Sequence, residues 1–94
     1  MIRLLIVDDQ NIIRHGLKSL LEIQADLTVV GDAANGQEAL DLIASLQQHQ
    51  LPDVILLDVR MPVMDGVATT IELKKYYPEI KILILTTFDD DEYI

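Results

Sequence analysis

Short apolar runs that end in acidic residues recur along the chain, separated by segments with helical spacing. The run Ile2–Val7 leads directly into Asp8 and Asp9, and the run at 54–57 leads into Asp58. A continuous apolar run of this length, bounded by turn residues, is typical of a strand buried on both faces of a parallel sheet. Strands that alternate with helices predict an α/β fold with right-handed crossovers.

The other elements follow the same alternation. Apolar spacing and turn residues predict two more strands at 27–34 and 81–87, three helices at 11–24, 37–47 and 66–76, and the start of a fourth helix at 89–92. Asn11 is expected to cap the first helix. The apolar stripe of that helix comprises Ile12, Ile13, Gly16, Leu17, Leu20, Leu21 and Ile23. Gly31 and Asp32 weaken the second strand and favour a place for it at the edge of the sheet.

Composition narrows the class of protein. Ninety-four residues suit one small domain, and a hydrophobic content of 50% is too high for a disordered chain. A net charge of −9 argues against nucleic acid or an anionic membrane as the partner, and favours cations or basic surfaces. The chain has no cysteine, which excludes disulfides and thiolate metal sites. It lacks both a signal-peptide pattern and an apolar run near the roughly 20 residues of a membrane span, so a cytoplasmic location is expected.

Three carboxylates are predicted to meet at one edge of the sheet. Asp8, Asp9 and Asp58 follow or end neighbouring strands, and the carboxyl ends of parallel strands form the functional edge of such sheets. Clustered like charges require a proton or a cation, and ligands that are all oxygen select Mg²⁺ or Mn²⁺. A partly open metal site beside a carboxylate suits phosphoryl transfer that yields an aspartyl-phosphate. The alternative is that these acids only cap helices and face solvent.

A few other polar residues have both a functional and a simpler interpretation. Thr86 ends the fourth strand, where its hydroxyl could bind a phosphoryl oxygen, but a β-branched residue also suits a strand. Asp65 is expected to cap the third helix. His15 and His49 stand in a helix and a polar connector without partners in the sequence, so both are expected to face solvent.

Taken together, these residues resemble the receiver domain of two-component response regulators. The resemblance rests on the acid pair after the first strand, on Thr86, and on the motif Leu-Leu-Asp-Val-Arg-Met-Pro-Val-Met-Asp-Gly around Asp58. It implies that Asp58 is the phosphoacceptor and that Thr86 is the switch hydroxyl. It also implies an Mg²⁺ site in which Asp9, Asp58 and the main-chain carbonyl of Arg60 bind the ion directly, while Asp8 acts mainly through a water molecule.

The resemblance also implies a fold and a subfamily. The segments Arg14-His-Gly-Leu, Asp26-Leu-Thr-Val-Val-Gly and Thr86-Thr-Phe-Asp-Asp-Asp are most similar to the NarL/LuxR-type subfamily, whose members usually carry a C-terminal helix-turn-helix domain. The implied architecture is the doubly wound, CheY-like parallel sheet. A complete receiver has the strand order 2-1-3-4-5, so residues 1–94 are expected to hold the order 2-1-3-4. They would be a receiver domain that is incomplete at its C-terminus, without the phosphate-binding lysine and the output domain.

The function implied is that of a signalling module and not of an enzyme acting on an outside substrate. A sensor histidine kinase would donate the phosphoryl group, the domain would catalyse its own phosphorylation and dephosphorylation, and the parent would regulate transcription by binding DNA as a dimer. Two alternatives remain. One is an interaction-only fragment with impaired phosphotransfer, and the other is a haloacid-dehalogenase-type phosphohydrolase, disfavoured because Arg60 stands where that family needs an acid. An exposed edge of the fourth strand predicts self-association, by strand pairing or by segment exchange.

Overall fold

The computed structural model describes residues 1–58 and 66–85, which form four strands and three helices. The elements in chain order are β1 Ile2–Val7, α1 Asn11–Glu22, β2 Leu27–Ala33, α2 Gly36–Ser45, a short 3-10 helix Gln48–Gln50, β3 Val54–Asp58, α3 Gly66–Tyr76 and β4 Lys81–Leu85. The predicted cap Asp65, the end of the fourth strand at 86–87 and the helix start at 89–92 lie outside the described residues.

The four strands form one parallel sheet in the order β2-β1-β3-β4. This order confirms the predicted 2-1-3-4 topology and the edge position of the second strand. In the register of β1 and β3, Val7 pairs with Leu57. The residues that follow this pair, Asp8 and Asp58, therefore leave the sheet side by side.

The two central strands are apolar without interruption because both of their faces are covered. Leu5 and Val7 pack into the core formed with α2 and α3, and Leu4 and Ile6, which point to the opposite face, are buried as well. The core cluster consists of Leu5, Val7, Ala33, Ala39, Ile43, Ile55, Leu57, Leu73 and Ile80. The continuous runs noted in the sequence are thus the interior of the sheet.

The helix starts differ from the expectation at α1. Gln10 occupies the N-cap position without a side-chain cap hydrogen bond, and Asn11 is the first helical residue, so the prediction that Asn11 caps this helix is wrong. The Asn11 carboxamide instead accepts a hydrogen bond from Arg14. At α2, Asn35 is a true N-cap, because its side chain accepts from the backbone N–H of Glu38 at 2.8 Å.

The inward face of α1 is rotated relative to the predicted apolar stripe. Arg14 is the buried residue of this helix, and Leu17, Lys18 and Leu21 are partly buried on the same side. The exposed part of the stripe comprises Ile12, Ile13, Gly16, Leu20 and Ile23. Arg14 on the inward face contacts polar groups at the ends of β1 and β2.

At the opposite edge of the sheet, the amino ends of the strands are tied together by Asp53. Its backbone N–H donates to the carbonyl of Arg3 at 2.8 Å, and its carboxylate accepts from the backbone N–H of Arg3 at 2.8 Å. The Arg3 guanidinium donates through Nε to the carbonyl of Leu51 at 2.7 Å. In the part of the chain that the structure describes, we find no helix that is long and apolar enough to cross a membrane.

Candidate functional site

Asp8, Asp9 and Asp58 meet at the carboxyl edge of the sheet. Each offers a carboxylate oxygen, and these oxygens lie within 4.8 Å of one another. Asp58 is the last residue of β3 and Asp8 directly follows β1, and both are almost fully buried, at 3% and 2% exposure, whereas Asp9 is exposed. The juxtaposition predicted from the two strand ends is therefore present, and one of the three acids faces solvent.

Asp8 is held in place by hydrogen bonds at three of its polar groups. Its backbone N–H donates to the carbonyl of Ala33 at the end of β2, at 3.1 Å. Its side-chain Oδ1 accepts from the backbone N–H of Gln10 at 2.8 Å, and its carbonyl accepts from Nη1 of Arg14 at 2.6 Å. The turn after β1 is thereby anchored to both β2 and α1.

The surroundings of Asp8 disfavour its charged form. Burial raises the pKa of the Asp8 carboxyl above its ordinary value, and the nearby charges of Asp58 and Asp9 raise it further. The Gln10 N–H and the Arg14 guanidinium act in the opposite direction without cancelling the rise. An added positive charge would therefore stabilise this site, because it offsets the repulsion between the buried Asp8 carboxyl and its two acidic neighbours.

The chemistry of the described donors fits a small divalent cation. The cluster contains carboxylate oxygens and no histidine, and oxygen-only donors are the ones that Mg²⁺ and Mn²⁺ prefer. Three protein acids leave room for the water and phosphate oxygens that Mg²⁺ usually keeps. Arg60 and Thr86, which the resemblance assigns to the same site, lie outside the described residues, so their roles stay predictions. His15 and His49 are exposed, as expected.

The sequence reasoning missed Arg14 and Asp32 as neighbours of the site. Arg14 contacts the Asp8 carbonyl, and its Nε lies 3.4 Å from a carboxylate oxygen of Asp32, near the end of β2. A signal for Arg14 was available, because it shares one helical face with Leu17 and Leu21. A cation on an inward face needs a polar partner.

Comparison with known protein families identifies the class of protein. Residues 4–94 match the model of the response regulator receiver domain, and the chain belongs to this family. Its strand order and its acidic edge agree with that assignment. The chain is therefore a signalling domain, and the family is not that of the haloacid dehalogenases.

Individual relatives refine this assignment. The chain is 45% identical over 94 residues to the transcriptional regulatory protein LnrK of Bacillus subtilis, covering 100% of this chain and 41% of that protein. It is 44% identical over 94 residues to the response regulator protein VraR of Staphylococcus aureus, covering 99% and 43%. The chain thus spans about two-fifths of the length of the curated relatives it matches.

A solved structure supports the predicted subfamily. The crystal structure of a DNA-binding response regulator of the LuxR family from Staphylococcus aureus superposes with a TM-score of 0.80 at 33% identity. The match covers 99% of this chain and 74% of that one. The resemblance to NarL/LuxR-type receivers and the CheY-like fold class are thereby confirmed.

Proposed function

We propose that this chain accepts a phosphoryl group on Asp58 in a reaction that requires Mg²⁺. The observation that carries the proposal is the cluster of three carboxylates with ligand oxygens within 4.8 Å of one another, at the carboxyl ends of β1 and β3. The donor would be a phosphohistidine of a sensor histidine kinase, the partner that receiver domains imply. The chain would then act by changing its surface for a partner and would not turn over an outside substrate.

In the proposed reaction, Asp58 is the nucleophile. One of its carboxylate oxygens attacks the phosphorus atom, and the new O–P bond forms as the P–N bond to the imidazole breaks. The electron pair returns to the ring nitrogen of the kinase histidine. Asp9 and Asp58 would bind the ion directly and Asp8 mainly through a water molecule, and Mg²⁺ would supply positive charge to the phosphoryl oxygens as charge develops there.

Two further residues belong to the proposal without support from the described geometry. The main-chain carbonyl of Arg60 would be a third protein ligand of the ion, and the Thr86 hydroxyl would bind a phosphoryl oxygen on Asp58. Both assignments rest on the match of the sequence motifs to the receiver family. In the same proposal, phosphorylation and dephosphorylation are catalysed by the domain itself.

The wider role is proposed from the relatives. One is a transcriptional regulatory protein, another is a DNA-binding response regulator, and the chain spans about two-fifths of the curated relatives. We infer that residues 1–94 supply part of the receiver of a cytoplasmic transcription regulator. The DNA-binding part would lie outside these residues, and the whole regulator would bind DNA as a dimer.

Intact mass spectrometry after incubation with acetyl phosphate and Mg²⁺ tests the central step. We expect one phosphoryl group on the wild-type chain and none on Asp58→Asn. Asp41→Asn is the matched control, because it removes the same charge from an exposed position on α2. This control should be phosphorylated like the wild type, and chelation of Mg²⁺ should abolish the addition.

Two outcomes would contradict the proposal. Equal phosphorylation of Asp58→Asn and wild type would assign the acceptor to another residue. A folded wild-type chain that binds Mg²⁺ but gains no phosphoryl group would favour the interaction-only alternative, in which the acidic site persists without its chemistry. The apolar side chains that β4 exposes, Leu83 and Ile84, are the observation that favours this alternative.

A further inference from the structure

Arg14 is a buried cation whose contacts converge on the turn that carries two of the three acids. The residue is 9% exposed, and its guanidinium reaches three separate segments. Nη1 donates to the main-chain carbonyl of Asp8 at 2.6 Å, Nη2 donates to the Asn11 side chain, and Nε lies 3.4 Å from Oδ1 of Asp32. Burying an arginine is unfavourable unless its partners compensate. These contacts therefore fix one arrangement of β1, β2 and α1.

The contact with the Asp8 carbonyl also constrains Asp9. The carbonyl of Asp8 and the amide nitrogen of Asp9 belong to one planar peptide group, so a bond that fixes the oxygen orients the backbone of the next residue. The Asp8 backbone N–H is held at the other side by the carbonyl of Ala33 at 3.1 Å. Since the side chain of Asp9 is exposed, its direction depends strongly on this backbone.

We propose that Arg14 is a positioning residue for the divalent cation, which it serves by anchoring the Asp8–Asp9 peptide beside Asp58. The inference rests on the proposed function, because it assumes that the three acids hold Mg²⁺. Arg14 itself does not touch the ion. It sets the relative placement of two carboxylates that the ion must meet together.

The direction in which Mg²⁺ affinity changes when Arg14 is substituted distinguishes a positioning role from a purely electrostatic one. A positive guanidinium near a cation site repels the ion, so removal of the charge alone would strengthen Mg²⁺ binding. Loss of the anchored geometry would weaken it. Lysine keeps the charge but lacks the planar fork that bonds several acceptors at once. If Arg14 positions the acids, both Arg14→Lys and Arg14→Met weaken Mg²⁺ binding. If Arg14 acts only through its charge, Arg14→Lys binds Mg²⁺ like the wild type.

Isothermal titration calorimetry with MgCl₂ on the 94-residue chain tests the inference without any phosphorylation readout. We expect both variants to bind Mg²⁺ roughly tenfold more weakly than the wild type, the lower end of what lost outer contacts cost a metal site. Arg3→Met is the matched control. Arg3 also pairs with an aspartate, Asp53, but at the opposite end of β1, so its loss should leave the Mg²⁺ affinity unchanged.

Asn11→Ala keeps the test decisive if the Arg14 variants do not fold. Asn11 is exposed and uncharged, and it anchors Nη2 of Arg14. Its removal loosens the guanidinium at constant charge and should weaken Mg²⁺ binding by a smaller factor. If the Arg14 variants fold and bind Mg²⁺ as tightly as the wild type or more tightly, the positioning role is overturned while the proposed function stands. If they do not fold, the same result for Asn11→Ala overturns the positioning role. A wild-type chain that binds no Mg²⁺ overturns the metal site of the proposed function and this inference with it.

Discussion

Asp8 combines two demands that conflict in the metal-free chain. Three hydrogen bonds hold it at the end of β1, which fixes its carboxyl beside Asp58 and Asp9. The same placement removes the carboxyl from water and puts it among like charges, and both effects raise its pKa. A residue kept where its charge is unfavourable is typical of a functional site, because the stability lost there is recovered when a ligand binds.

The conflict predicts how stability depends on pH. Between the ordinary pKa of 3.8 and the raised value, the folded chain binds more protons at Asp8 than the unfolded chain does. The contribution of Asp8 to the free energy of unfolding therefore falls as the pH rises through this window, and it stays unfavourable above it. Asp8→Asn removes this pH-dependent contribution to the free energy of unfolding, and it keeps an oxygen that can accept from the Gln10 N–H.

We expect Asp8→Asn to be more stable than the wild type at pH 7 in EDTA, by on the order of 1 kcal/mol. In a domain of this size, that difference corresponds to a melting temperature roughly 4–8 °C higher. Thermal unfolding followed by circular dichroism from pH 3 to pH 8 measures it. The difference should shrink as the pH falls from the raised pKa of Asp8 toward 3.8 and should be absent at lower pH. Asp41→Asn, on the exposed face of α2, should show no such trend. A wild type at least as stable as Asp8→Asn at pH 7 would contradict this account.

Individual residues of the site differ in how far the sequence predicts their placement. Asp8, Asp9 and Asp58 could be placed together, because a strand end fixes where the next residue leaves a parallel sheet. The sequence places Arg14 on one helical face with Leu17 and Leu21, but it does not identify the partners of Arg14, since these depend on the rotation of α1 about its own axis. Seven positions in and just after that helix suggested another rotation, whereas in the structure Arg14 faces inward, with a hydrogen bond to Asp8 and an ion pair with Asp32.

Among the elements, helix starts were predicted unevenly, for a physical reason. The two bounds of α3 agree with the sequence, where Gly66 follows a break and Pro78 comes soon after the last turn. Asn11 and Asn35 both precede apolar periodic segments, yet Asn35 alone caps a helix. A cap requires extended backbone and a free side-chain oxygen, and at Asn11 that oxygen is taken by Arg14.

The cap at α2 gives a prediction at this scale. Asn35 accepts from the Glu38 N–H, and the Glu38 carboxylate accepts in return from the backbone N–H of Ala34 at 3.1 Å. Asn35→Ala should lower the free energy of unfolding by about 1 kcal/mol, and Asn35→Ser should stay close to the wild type because it keeps an uncharged acceptor for the Glu38 N–H. Urea unfolding of the three proteins measures the difference. Equal destabilisation by alanine and serine would show that the amide, and not the cap, matters.

For the whole molecule, the described sheet leaves the apolar strand β4 at one edge. Among the described strands β4 pairs with β3 alone, and Leu83 and Ile84 on it are exposed. An edge of this kind can pair with a second chain through its free backbone groups. We infer that the 94-residue chain self-associates, either by pairing of two β4 edges or by exchange of a segment between chains.

Leu83→Lys separates the two routes. Leu83 is 55% exposed on the edge strand, and a lysine there places a charge where a second strand would pack, so edge pairing should be lost. Segment exchange should be unaffected, because it does not use this edge. Ile71→Lys is the control, since Ile71 is 62% exposed on α3 and gains the same charge away from the sheet. Sedimentation velocity over a wide concentration range measures the outcome. We expect dimers of the wild type and of Ile71→Lys. Monomeric Leu83→Lys would assign the dimer to edge pairing, dimeric Leu83→Lys would assign it to segment exchange, and a wild type that is monomeric throughout would refute self-association.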